Sequence, residues 1–247
     1  MENKLRLSVK PDIEKYKLRI AEINSSILAI VDSAIIDFLM INSVFKKYNQ
    51  AADPSMSGDD AKRVSLSIRE LQYVDCFSQK LDHVRILNQG ISEAIRDNTN
   101  HTDQKMDHAG FVFKLNYLQT TVAADEFLVN VAGLRQNLHE LHDHIVSVTK
   151  LNFHESAYFN HLAEIEDKLT HLKHTLNEMQ KERFREAPTP LTAIEAEMRN
   201  ISNLYTMTSE RYVLLWALKY SQADATKLLK QYKHEGYEQI EEEIELF

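Results

Sequence analysis

The chain has 247 residues and a formal net charge of −8, with five glycines, four prolines and one cysteine. So few Gly and Pro exclude a fold rich in strands and tight turns. The acidic balance argues against a nucleic-acid footprint, which needs a clustered basic face. A lone Cys76 excludes an intrachain disulfide and fits a cytoplasmic setting.

Leu, Ala, Glu, Lys and Gln recur at helical spacing, which predicts an all-α fold. The first helix is expected from about Pro11 to Lys47, with proline at the first helical position. Its apolar run, Ile27 to Ile41, holds Asp32 and Asp37 and reads as too short and interrupted for a membrane span. It is expected instead at the buried centre of a bundle. No signal peptide is read at Met1–Leu7.

Turn chemistry at Asn49–Gly58 ends this helix, and a second runs from about Asp60 to Asp97. A polar loop, Asn98–Asp107, precedes a third helix from about Ala109 to Lys150. Asn152 and Glu155 resemble a capping box opening a fourth helix, the alternative being a helix continuous through Asn152. The fourth ends near Arg185. Thr189 and Pro190 open a fifth that runs to about His234, with Gly236 as the stop. About five long helices predict an elongated antiparallel bundle, a single domain over 1–236 followed by an acidic tail, 237–247.

The most informative stretch lies on the second helix. Val74, Phe77, Leu81 and Val84 form a core-facing stripe. Asp75, Gln79 and Asp82, at i, i+4 and i+7, fall on a neighbouring face within reach of a partner. Such a surface joins a carboxylate able to meet a cation with an amide able to orient a water.

Gln72, Asp75 and Gln79 resemble the D-x-x-x-Q motif of the CheZ chemotaxis phosphatases, which also carry Gln three residues before the Asp. These are helical bundles that dephosphorylate a CheY-like response-regulator receiver domain. The resemblance implies that Asp75 pairs with the receiver's active-site Lys and that Gln79 orients the attacking water. It also implies that the Mg²⁺ belongs to the receiver, so this chain binds no cofactor or metal of its own. Phosphoryl transfer then asks only for positioning and charge neutralisation.

The tail is similar to the acidic, aliphatic element that ends these phosphatases and tethers the receiver. Ile240, Ile244, Leu246 and Phe247 are its apolar members. The long linker of the family is missing, since Gly236 directly precedes the tail. The bundle has helices enough to close in one chain, and both monomer and homodimer stay open.

Competing readings rest on other residues. A non-catalytic helical adaptor or scaffold in two-component signalling needs only the docking face. Thr189–Ile194 resembles part of a histidine-kinase phospho-acceptor box, but Arg185 stands where the His is required. The His139, His142, His144 and His171, His174 groups lack the Glu-x-x-His spacing of a bundle metal site and read as solvated or interfacial. Trp216, Phe111, Phe113, Leu115 and Leu118 read as core, and Cys76 as an inert thiol.

Overall fold

The computed structural model describes residues 2–51, 58–96, 102–149, 155–181, 201 and 203–235. Among them the fold is all-α, without strands. The helices are α1 (Glu2–Ala51), α2 (Gly58–Arg96), α3 (Thr102–Thr149), α4 (Glu155–Lys181), α5 (Thr208–Lys219) and α6 (Gln222–Glu235). Helices α1 to α4 form a ring in which α2 lies between α1 and α3, and α4 closes between α3 and α1.

Cross-links at the two ends give the sequential helices opposite directions. Near one end, Asn88 of α2 accepts from Asn116 of α3 at 2.9 Å and donates to Asn24 of α1 at 3.1 Å. Near the other, Tyr48 Oη of α1 and Asp60 Oδ2 of α2 lie 2.9 and 3.2 Å from His144 Nδ1 of α3. Thus α1 and α3 run one way and α2 the other. Each amide pair satisfies groups that would cost free energy if buried alone.

The core is one contiguous apolar cluster reaching all six helices. At its middle Phe127 of α3 meets Phe77 of α2 at a ring separation of 4.5 Å and Phe38 of α1 at 5.8 Å. Helix α4 contributes Ile165, Leu169, Leu172, Leu176 and Met179. Their spacing of alternating fours and threes is the narrow seam of a coiled-coil-like helix.

The central helix is α3 rather than α1. Residues Ala109–Phe113 and Leu118–Ala124 of α3 are buried throughout, because α5 and α6 pack on the side that α2 and α4 leave open. Phe111, Phe113, Leu115 and Leu118 are core as expected. The α1 run between Ile27 and Ile41 is only half covered. Ile27, Ile30, Ala34, Phe38 and Ile41 face inward, while Leu28, Ile36, Leu39 and Met40 stay exposed. The expectation that this run lies at the buried centre of the bundle therefore fails. Apolar residues on every side permit burial, but a ring position supplies neighbours on one side only. In the folded chain the apolar stretch covers Lys17–Tyr48, which by length and composition would suffice to cross a membrane.

The helix boundaries differ from expectation in three places. Helix α1 starts at Glu2, so Pro11 lies inside it and removes one interior N–H donor. Helix α3 begins at Thr102, within the stretch read as a loop. The fifth helix is broken twice. Helical backbone at Ile201, Asn203 and Leu204 stops at Tyr205–Met207, and α5 stops at Tyr220.

Polar caps explain both breaks. At the first, the Met207 N–H donates to the Glu210 carboxylate at 3.3 Å, half of a capping box. At the second, Tyr220 is extended (φ −122°, ψ 158°). The Lys114 ammonium donates to the carbonyls of Ala217 and Tyr220, meeting the negative end of α5. Ser221 Oγ then accepts from the Asp224 N–H at 3.2 Å and opens α6.

Candidate functional site on helix α2

Helix α2 places its residues as the period of the sequence dictates. Phe77, Leu81 and Val84 are fully buried, and Val74, the fourth member of the expected stripe, is half-buried. Gln72, Asp75 and Gln79 are exposed. Asp82 is half-buried and engaged: its Oδ1 accepts from Arg85 Nε at 2.8 Å, one turn along the helix. Asp75 and Gln79 thus share an outward strip, while Asp82 belongs to a local ion pair.

Gln79 carries a contact that no local pattern announces. Its Nε2 donates to Thr206 Oγ1 at 2.9 Å, across 127 positions of sequence. Thr206 lies in the break before α5, so the rim of the strip comes from the opposite end of the chain. With the amide nitrogen held, the plane of the Gln79 side chain is set. Its Oε1 has no partner among the described residues and is the group left to accept from a water.

Directly beside the strip lie a part-buried ion pair and a buried histidine–carboxylate hydrogen bond that sequence reasoning passed over. Lys80, 3% exposed, pairs with Glu126 of α3, which also accepts from Tyr73 Oη at 2.6 Å. His83 donates from Nδ1 to Glu210 of α5 at 2.6 Å, and Glu210 is 1% exposed. Gln119 of α3 adds a 3.0 Å bond to the Glu210 carbonyl. Tyr205 packs its ring 5.8 Å from that of His83. Burial pushes the Tyr205 hydroxyl well above its usual pKa, Glu210 adds to the rise, and Gln119 offsets part of it.

These pairs do structural work on the site. His83 follows Gln79 by one turn of α2, and Glu210 follows Thr206 by four residues. The buried His83–Glu210 bond and the exposed Gln79–Thr206 bond therefore clamp the start of α5 to α2 at two adjacent levels. The sequence carries no local signal for this contact, since Met207 is not an N-cap residue type. Nothing local marks His83 as the partner of Glu210.

The remaining expected residues are placed as follows. Cys76 is exposed and carries a free thiol. Trp216 is buried in α5. His144 joins the Tyr48–Asp60 contact, and His139, His171 and His174 are exposed. No His, Cys, Asp and Glu cluster able to hold a metal ion occurs among the described residues. Ile240, Ile244, Leu246 and Phe247 of the tail, and the segment Thr189–Ile194, lie outside the described residues. Comparison with protein-family models, with curated proteins and with solved structures finds no match to this chain.

Proposed function

We propose that this helical bundle accelerates hydrolysis of an aspartyl phosphate on a partner receiver domain, with helix α2 as the working face. The observation that carries the reading is the outward strip holding exposed Asp75 and Gln79, with the Gln79 amide anchored at Nε2 and its Oε1 directed to no described residue. Asp75 would meet the receiver's Lys, and Gln79 Oε1 would accept a hydrogen bond from the attacking water and hold it in line with the phosphorus. The receiver would supply the phospho-aspartate and the Mg²⁺. One fixed acceptor is a small addition, but positioning is most of what phosphoryl transfer requires.

A second reading is favoured by the same hydrogen bond. A glutamine engaged by Thr206 is also a clamp between α2 and α5, and the α2 face would then bind a receiver without catalysis. Charging receiver domains of the same genome with acetyl phosphate and Mg²⁺, then following phosphate release, separates the two. The phosphatase reading expects faster loss, reduced about 100-fold in Gln79→Ala with binding kept. Release at the unassisted rate for every receiver that binds would establish the adaptor. Acceleration that survives Gln79→Ala would remove Gln79 from the site.

A further inference from the structure

The outer face of α1 is an apolar surface that the proposed activity leaves unused. Leu28, Ile36, Leu39 and Met40 project from it, between 37% and 61% exposed. Together they leave on the order of 400 Å² of apolar surface in water, comparable to the largest patch on a typical monomeric protein, which is often functional. Ser33 and Ser43 on this side donate back to the carbonyls of Ala29 and Met40, both at 2.7 Å. Their hydroxyls are thus satisfied within α1, and covering them would strand no donor.

The charges on the face indicate the occupant. Between Glu22 and Lys46 the only exposed charge is Asp32, in line with Ile36 and Leu39. Asp32 has no partner among the described residues, and neither do the exposed Lys46 and Lys47. An unpaired carboxylate in the middle of an apolar strip opposes burial unless the partner brings a cation to it. The strip itself holds that cation. Positions 32, 36, 39, 43 and 46 follow alternating steps of four and three, a coiled-coil seam. When two such seams pair antiparallel, with Ile36 of each opposite Leu39 of the other, Asp32 of each copy comes within one helical turn of Lys46 and Lys47 of the other. The two-fold axis repeats the contact at both ends.

We propose that the outer face of α1 is a self-association surface, on which a second copy of this chain packs antiparallel with reciprocal Asp32–Lys46/Lys47 ion pairs. The pairing covers the apolar patch and neutralises its one central charge in the same step. It leaves the α2 strip, which faces another side of the ring, open to a partner. A bilayer would also cover the apolar side chains, but its headgroup ammonium groups are not fixed opposite Asp32, whereas a second copy sets Lys46 and Lys47 there, so the second copy suits the face better.

Sedimentation equilibrium of the full chain across the micromolar range tests this. A monomer–dimer equilibrium is expected, weakened at least about tenfold by Asp32→Lys alone and by the Lys46→Glu/Lys47→Glu pair alone. Combining all three reversals should restore dimerisation to within about threefold of the parent. Ile36→Glu should leave a monomer with an unchanged helical circular-dichroism spectrum, since Ile36 lies outside the core. A parent chain that stays monomeric at the highest concentrations would overturn the proposal. So would a dimer indifferent to Ile36→Glu, or charge reversals that never compensate. Flotation of the monomeric parent with phosphatidylcholine–phosphatidylglycerol vesicles, abolished by Ile36→Glu, would assign the face to a bilayer instead.

Discussion

Replacing Glu210 with alanine is the sharpest test of how α5 is held against the bundle. The substitution removes the acceptor of the buried His83 N–H and the acceptor of the Met207 N–H that starts α5. Losing the helix start costs about 1 kcal/mol. Leaving His83 buried without its acceptor costs about 1–3 kcal/mol more. The sum, about 2–4 kcal/mol, corresponds to a drop in Tm of roughly 4–16 °C for a chain of this size. Glu210→Gln keeps an acceptor in the same place and should lose about 1 kcal/mol. Urea unfolding followed by circular dichroism gives the free energies. Hydrogen exchange should show α5 amides released in Glu210→Ala while those around Phe77 and Phe127 stay protected. A double-mutant cycle with His83→Ala should yield a coupling of about 1 kcal/mol or more. Stability within about 0.5 kcal/mol of the parent, or a coupling near zero, would refute the clamp.

Other predictions rest on separate parts of the fold. Gly90 lies inside α2 with open space where a Cβ would sit, so Gly90→Ala should raise stability by about 1 kcal/mol in urea unfolding. A Cβ at Gly133 would instead collide with the Glu70 carboxylate, so Gly133→Ala should gain less than Gly90→Ala unless Glu70 is also shortened to Ala. Burial raises the pKa of Glu70, against partial lowering by the Asn137 hydrogen bond and the Arg69 charge. A raised folded value means that this group's contribution is present below the unfolded pKa of about 4.3 and is lost as pH rises through the folded value. Glu70→Gln should therefore hold or raise the urea midpoint at pH 7 relative to the parent and add less at pH 4; the opposite order would refute the sign. Phe127→Ala empties the contact of three rings and should cost about 3–5 kcal/mol by the same assay.

The difference between what was legible in the sequence and what was not has a consistent cause. Residues four apart share a helical face wherever the helix lies, so the outward placement of Asp75 and Gln79 follows from the inward placement of Phe77 and Leu81. The same rule shows α1 to be apolar on every side but cannot say which side acquires neighbours. Of the two breaks in the fifth helix, the one before α6 was partly written in Ser221–Asp224, a short cap pattern beside the strong apolar run from Tyr212 to Leu218, while Met207 gave no cap signal for the one before α5.

The sequence by itself determined the all-α class, the approximate extent of α2, the C-terminal ends of α1 and α3 and the polarity of the α2 faces, because hydrogen bonding and side-chain period are local properties of the chain. Tertiary structure alone decided that α3 and not α1 is central, and that Lys80 and His83 are buried against Glu126 and Glu210. It also decided that Thr206 holds the Gln79 amide. Those partners stand 46 to 127 positions apart, and no local period connects them. Which faces meet is set by the whole bundle finding cover for its apolar surface and partners for the polar groups it buries.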